Sequence, residues 1–571
     1  MNDWLQWAMP HLMIVPIALP LLMAALMLLM DEQQRHIKAI INVAASLAGL
    51  LVSLALLVWV QGNGNDNSNG AVAAIGIYLP SNWEVPFGIV LALDRLTALM
   101  LVLTAIIGLS AVLFASARWH RAGVHFHTLF QIQLMGLNGA FLTADLFNLF
   151  VFFEVTLAAS YGLLLHGSGR AGVRSGLHYI AINLLASSLF LIGTAMLYGV
   201  VGTLNMADLA QKIPLVPEAD RGLLHAGAAI LAMAFLIKAA IWPMNFWLVP
   251  AYTAASAPVA ALFAIMTKVG IYAVLRIWTL FFAPGLGDAS PFLGNEILIF
   301  MGLATLAFGA IGVLAAQQLR RLAAFSLIVS SGTLLAAIGL GHTALLGGAL
   351  FYLLSSTLSI SALFLLIELI ERAGRRGSDG LKLDDGSYPL PFSAEATEAR
   401  TTAADVNLDD DEQALIGQPI PAAVAFLGLG FLLCVLLIAG LPPMSGFIAK
   451  FSMLTALFDP SASSEAAPRP GAWALLALML ASGLLSMIAL SRAGMRHFWT
   501  SQRDTAPRLR LIECLPVAAL LLVCVACVLQ AGPMLAYARA TAEGLHHPSQ
   551  YIGAVMSARP VPGVVRQMGE P

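Results

Sequence analysis

Along this chain the apolar residues fall into blocks of roughly 20 to 28, separated by short polar or Gly/Pro-rich stretches. Each block is long enough to cross a hydrocarbon core of roughly 30 Å as a helix. The blocks lie at 9–30, 39–60, 88–115, 126–144, 146–166, 175–201, 223–248 and 256–282, then at 293–317, 322–340, 344–370, 419–457, 472–491 and 511–535. The pattern predicts an all-α polytopic membrane protein of about fourteen spans. Two segments are polar enough to lie outside the membrane: Gln61–Gly70, rich in Gly and Asn, and Glu371–Gln418, with an acidic run at Asp409, Asp410, Asp411 and Glu412. Such a run reads either as a solvated face or as a docking site for a partner. Asp3 stands before the first apolar run with no Lys or Arg, the reverse of a signal peptide, so that run is expected to stay as a spanning helix.

If every block spans, successive loops alternate sides. One side then receives eighteen basic residues, from Arg35 and Lys38 through Arg320 and Arg321 to Arg510, and the other receives Lys212, Arg221, Arg276 and Arg469. The positive-inside rule makes the first side cytoplasmic and places both termini and the tail after the last span outside.

Composition agrees with this reading. Hydrophobic residues make up 59% of the 571 and charged residues 11%, against roughly 25% charged in soluble domains. A net charge of −2 shows no basic excess that would suit nucleic acid. Cys434, Cys514, Cys524 and Cys527 all lie in or beside apolar segments and read as packing thiols, although the last two have redox-pair spacing.

Four ionisable residues stand inside apolar spans, Glu154, Lys238, Lys268 and Lys450, and three of them are among only six lysines in the chain. A central charge costs about 2.5 to 3.5 kcal/mol even on the lenient insertion scale, so such residues are functional candidates. Glu154 has no counter-charge within a turn on its own helix, so its partner must come from another. Lys238 is followed by Pro243, which lacks the N–H that would bond the carbonyl of Ala239, and Lys450 is preceded by Pro442 and Pro443. Interrupted helices at corresponding positions of two halves point to inverted repeats around a midplane ion path. Burial disfavours the charged form of lysine and glutamate alike, and a nearby opposite charge restores it. A Glu–Lys pair that is made and broken would therefore switch a lysine between holding and releasing a proton; a static pair joining two helices is the alternative.

Asp94 and Arg95 read as a local interfacial pair or as helix-end charges, and Asp145, His225 and His342 as residues near span ends. The serines Ser326, Ser330, Ser331, Ser355, Ser356, Ser359 and Ser361 suit a water file through two spans and suit small-residue helix packing equally. No nucleotide-binding loop, metal cluster or nucleophilic triad is present in the sequence, so neither covalent chemistry nor a cofactor is expected.

From about Asp94 to Trp499 the chain resembles the antiporter-like family shared by multisubunit Mrp/Pha monovalent cation/proton antiporters and the proton-pumping membrane arm of respiratory complex I. The resemblance is carried by Glu154, by Lys238-Ala-Ala-Ile-Trp-Pro-Met-Asn-Phe-Trp247, by Lys268-Val-Gly-Ile-Tyr272 and by Gly440-Leu-Pro-Pro-Met-Ser-Gly-Phe-Ile-Ala-Lys450. It implies fourteen helices with two inverted five-helix repeats, at 126–283 and 293–491, preceded by three helices in 1–125 and followed by a last helix and tail in 511–571. It also implies that Glu154 and Lys238 are a coupled pair, Lys268 a central relay and Lys450 a terminal group.

Complex I subunits similar to this one follow the broken helix with a Leu-Pro-Asp-Ala-His-type run; here Trp247-Leu-Val-Pro-Ala-Tyr252 puts a tyrosine where that histidine would fall. Histidines expected near the tenth or eleventh span are replaced by serines, so a hydrated gap held by serines is expected between Lys268 and Lys450. Together with Tyr198-Gly-Val-Val-Gly-Thr-Leu-Asn-Met-Ala-Asp208, these departures favour the D-type subunit of an Mrp/Pha antiporter. A subunit of complex I or a membrane hydrogenase, and a non-transporting structural subunit, are the alternatives. The resemblance implies a secondary transporter subunit of a bacterial inner membrane that works with sibling subunits on H⁺ and a monovalent cation, Na⁺ or K⁺, surrounded by lipid.

Overall fold

In hydrocarbon no water satisfies a backbone amide, so each apolar block closes its own hydrogen bonds as a helix. The computed structural model describes residues 11–31, 33–62, 74–118, 125–166, 170–282, 293–378, 421–458, 470–499 and 509–561. Most of the acidic segment after residue 378, the connector after residue 62 and both extreme termini lie outside the described residues.

The helices are α1 Val15–Leu29, α2 Arg35–Gly62, α3 Arg95–Ser116, α4 Phe126–Leu142, α5 Leu146–Leu165, α6 Arg170–Val201, a short α7 Met206–Lys212 and α8 Glu218–Lys238. There follow α9 Leu248–Ala254, α10 Ala257–Phe281, α11 Asn295–Ala315, α12 Leu319–Leu340, α13 Thr343–Ser378, α14 Ala422–Ala439, α15 Ser445–Leu457 and α16 Pro470–Gly494. The last three are α17 Leu511–Leu529, α18 Ala531–His546 and α19 Ser549–Met556. Among the described residues 12 helices are long and apolar enough to cross a membrane. The shorter α1 and α4 complete about fourteen spans when α9 and α15 are taken as the second halves of broken helices. The exception to the all-helical reading is a two-stranded antiparallel ribbon, β1 Gly76–Tyr78 against β2 Leu91–Leu93.

Helices α10, α12 and α13 are buried nearly all round, which marks the centre of the bundle. Around them α8, α14, α15 and α17 pack on the inner three, while α2 packs on α3 and α6 on α8. Glycine permits the closest approach: a Cβ on Gly270 of α10 would lie 2.7 Å from the Ala239 nitrogen. The span expected at 419–457 is split into α14 and α15, and the last span ends at Leu529, after which the chain turns into α18.

At helix ends Arg118 and Arg372 both bond Glu513 of α17, at 2.9 and 2.8 Å, and Arg320 pairs with Glu371. Elsewhere α18 covers helix ends, with the Tyr537 hydroxyl donating to the Arg95 carbonyl at 2.7 Å.

Three expectations about charge are corrected. Arg276 does not lie in a loop: it is buried in the last turns of α10 and grips Asp94 with two bonds of 2.6 and 2.7 Å. Of the two readings of Asp94 the helix-end charge holds, since it caps α3 through the Thr97 amide; the local pair with Arg95 does not, because its counter-charge comes from a residue far along the chain. Lys38, counted among the loop cations, lies buried in the second turn of α2 because the helix starts at Arg35. One turn on, the Asn42 side chain bonds His127 and Gln131 of α4 at 2.7 and 2.6 Å.

Removing one member of a buried ion pair leaves the other uncompensated, at a cost of about 3 to 5 kcal/mol. Arg276→Met is expected to lower the thermal unfolding midpoint of the purified protein sharply, and adding Asp94→Asn to recover most of the loss, both read by intrinsic fluorescence during heating.

Candidate ion-path site

The two helix breaks carry the site, and they match residue by residue. In the first, Ala239 and Ala240 donate to the carbonyls of Phe235 and Ile237, and Ile241 reaches back to Leu236 at 3.0 Å. In the second, Gly440 and Leu441 both donate to Leu436, at 3.0 and 2.9 Å. Ala240 and Gly440 hold left-handed backbones at φ 55 and 77, and Pro243 and Pro443 follow three residues later in each. Met244 and Met444 then donate to Ile241 and Leu441. The proline was expected to free the carbonyl one turn before it; in the structure the helix already ends at Lys238, with the left-handed residue as its stop.

The lysines use these breaks differently. Lys450, on α15, donates to two carbonyls at the end of α14, Ala439 at 2.9 Å and Ile438 at 3.3 Å. Lys238 ends α8, with its ammonium 5.1 Å from the centre of the Phe153 ring, and lines a small cavity together with Thr156, Tyr179, Asn183, Trp247 and Gly270. The Trp247 indole donates to the Ile237 carbonyl at 3.2 Å, and Thr305 of α11 accepts from the Trp242 amide at 2.9 Å.

Glu154 is half-buried on α5 and accepts from the Ser187 hydroxyl of α6. Its partner thus comes from another helix, as the sequence required, but is a hydroxyl. No ion pair within 4.0 Å joins it to Lys238 among the described residues.

Lys268 is fully buried at the middle of α10 and donates to Ser330 at 2.9 Å and Ser331 at 3.4 Å, both on α12. Ser330 shares a 2.9 Å bond with Ser356 of α13, and Ser355 shares one of 2.8 Å with Ser445 of α15. Ser326, Ser355, Ser356, Ser359 and Ser486 line a small cavity whose wall includes Ile438, a residue whose carbonyl accepts from Lys450. Ser361 faces elsewhere and donates to Ala261. The structure therefore links Lys268 through the serines toward Lys450, with Lys238 at a second cavity that α10 also lines and Glu154 held by Ser187 on the neighbouring helix.

Sequence reasoning missed Ser187, because a serine in an apolar span gives no signal of its own. It also missed Glu368 and Glu513, which are buried at 5% and 1% exposure although both fall within predicted spans. Both stand near span ends, where an acidic residue gives no signal of its own that it is buried. Tyr252, which stands where a histidine was sought, is buried and donates to the Phe263 carbonyl at 2.8 Å. No His/Cys/Asp/Glu group fit to hold a metal occurs among the described residues.

Known proteins share this architecture. The family described as NADH:quinone oxidoreductase/Mrp antiporter, TM, matches residues 143–383. The D subunit of a probable K⁺/H⁺ antiporter of Rhizobium meliloti is 50% identical, over 98% of this chain and 99% of its own length. The D subunit of the Na⁺/H⁺ antiporter of Bacillus subtilis is 32% identical, over 96% of this chain and 100% of its own. A chain in the structure of the Mrp complex from Dietzia sp. aligns with a TM-score of 0.76 at 26% identity, covering 96% of this chain and 99% of that one. A chain of respiratory complex I from Thermus thermophilus, at 22% identity and a TM-score of 0.69, shares the fold; the alignment covers 96% of this chain and 100% of that one.

A Cβ at Gly440 would lie 2.6 Å from Cδ of Lys450, and the left-handed backbone adds about 1 to 2 kcal/mol of strain. Gly440→Ala is thus expected to lower the unfolding midpoint, whereas Gly428→Ala, where the nearest atom is 4.0 Å away in mid-helix, is expected to leave it unchanged or raise it. Equal shifts in the two variants, measured side by side, would rule out the packing of Lys450 against the break.

Proposed function

The chain belongs to the family of D-type subunits of multisubunit cation/proton antiporters, and from that membership we propose that it carries protons across the membrane in a complex that exchanges them for a monovalent cation. It is a multi-pass membrane protein and a secondary transporter component, working with other subunits of an Mrp-type complex. The single observation that carries the mechanism is the row of lysines inside the bundle, Lys268 buried and Lys238 and Lys450 half-buried, in contact with a polar cavity, serine hydroxyls and broken-helix carbonyls.

In this reading Glu154 sets the field at Lys238, and Lys238 passes charge to Lys268. Lys268 hands it through Ser330 and Ser356 to the serine-lined cavity and so to Lys450. Residues 126–283 and 293–491 act as the two repeats, and the matching breaks at Ala240–Met244 and Gly440–Met444 support that division. The energy scale suffices, since one charge crossing 100 mV carries about 2.3 kcal/mol. The excess of basic residues supports a cytoplasmic basic end and outward termini in a bacterial inner membrane.

The relative at 50% identity is named for K⁺ and the one at 31% for Na⁺, which makes K⁺ the cation to expect here. A non-transporting role for this chain makes the opposite prediction about its lysines: conservative changes should then be silent.

In everted vesicles holding the whole complex, Lys238→Ala is expected to abolish cation-dependent proton movement at equal assembled protein. Undiminished transport would leave this chain a scaffold. With the wild-type complex, K⁺ is expected to drive at least as much proton movement as Na⁺, read by quenching of a pH-sensitive dye; a response to Na⁺ alone would overturn the assignment of the cation.

A further inference from the structure

Between Lys238 and Lys268 no hydrogen bond among the described residues makes a bridge, although the proposed relay must cross there. Two unclaimed polar side chains come from α4 and α5. Thr156 of α5 lines the Lys238 cavity, and its hydroxyl is buried without a protein partner. Gln133 of α4 is wholly buried, and both its amide nitrogen and its amide oxygen lack one too. A buried amide costs several kcal/mol in hydrocarbon unless something bonds it. Two such atoms on one side chain, with an orphan hydroxyl on the helix that packs against it, mark a place built to hold a polar guest.

Register fixes where Gln133 sits. A Cβ at Gly136 would meet Thr156 Oγ1 at 2.3 Å, one at Gly139 would meet Phe152 at 2.2 Å, and one at Gly162 would meet Leu129 at 2.8 Å. These contacts run α4 and α5 antiparallel and put Gly136 opposite Thr156. Gln133, one turn back on α4, comes level with Ser160, whose hydroxyl shares a 2.6 Å bond with Tyr179 of the same cavity wall. Other faces of α4 are taken: Gln131 bonds α2, Leu134 meets Gly108 of α3, and Asn138 bonds the Pro16 carbonyl. That leaves Gln133 at the corner between α5 and α10. The Tyr272 hydroxyl of α10 donates to the Phe141 carbonyl at the end of α4. Counting back two turns, about 12 Å along each helix, brings Gln133 level with Ala264, one turn from Lys268.

We propose that Gln133 and Thr156 form a hydration site that joins the Lys238 cavity to Lys268. The amide donates and accepts, and the hydroxyl does the same, so a bound water there takes a proton arriving from the Lys238 ammonium while passing one of its own to the neutral Lys268 amine. Water is neither made nor consumed. The site rests on the relay reading above and adds the link that the direct contacts lack.

The test uses the assembled complex. A density map at a resolution that shows water is expected to hold ordered water within hydrogen-bond reach of Gln133 and Thr156, and Thr156→Val is expected to remove it. At equal assembled protein, Thr156→Val and Gln133→Leu are each expected to slow cation-driven proton movement about tenfold, the scale of one lost hydrogen bond, with Thr156→Ser recovering most of it. A dry seam, a bound cation in place of water, or wild-type rates in Thr156→Val while Lys238→Ala is inactive would each overturn the proposal. If Lys238→Ala itself transports normally, the relay reading fails instead, and the density map alone then decides whether the hydration site exists.

Discussion

A helix that stops inside a membrane strands carbonyl oxygens where no water can reach them, and every feature of the polar interior follows from how those oxygens are satisfied. At the end of α14 the Lys450 ammonium takes two of them. An isolated ammonium in hydrocarbon and an isolated carbonyl are each costly; together they make charge-assisted bonds roughly twice as strong as neutral ones. At the end of α8 a neutral indole, Trp247, does the corresponding work and leaves the Lys238 ammonium turned to a cavity. The same backbone turn thus holds one lysine and releases the other.

The serines between Lys268 and Lys450 add a property that an ion pair lacks. A hydroxyl both donates and accepts, whereas an ammonium only donates. The bonds from Lys268 to Ser330 and from Ser330 to Ser356 can therefore reverse direction after a proton has passed, with only the hydroxyl hydrogens turning. Helices α12 and α13, which carry these serines, are among the most enclosed in the bundle, so the hydroxyls face one another and not lipid.

Much of this was legible in the sequence because the bilayer is a strict reader. Apolar blocks had to become helices, prolines after or before a lysine had to mark breaks, and charges in mid-span had to be sheltered. The gap filled by serines between Lys268 and Lys450 was expected from serines standing where histidines were sought, and a serine-lined cavity lies there. Partners across the chain were not legible. Asp94 and Arg276 are 182 positions apart, and nothing local marks either as the other's counter-ion. Ser187 was invisible as the partner of Glu154 for the same reason, and Lys38 read as a loop residue because its helix begins one turn before the apolar block does.

The two breaks are unequal, and that inequality is what the proposed relay needs. If both lysines were fixed by carbonyls, each would keep its proton and the polar interior would be a static scaffold. If neither were, the charges would have no reason to stay buried. Here one break clamps its lysine and the other exposes its lysine to a cavity and, at a distance, to the carboxylate of Glu154. Coulomb interaction between buried charges is only weakly screened, so in the proposed relay a proton gained or lost at the exposed lysine would change the field at the clamped one without any helix having to move. A pair of matching breaks with unequal lysines is thus a way to pass an electrostatic signal along a rigid frame, and the rigidity is supplied by the same tight glycine contacts, at Gly270 and Gly446, that bring the broken ends against their neighbours.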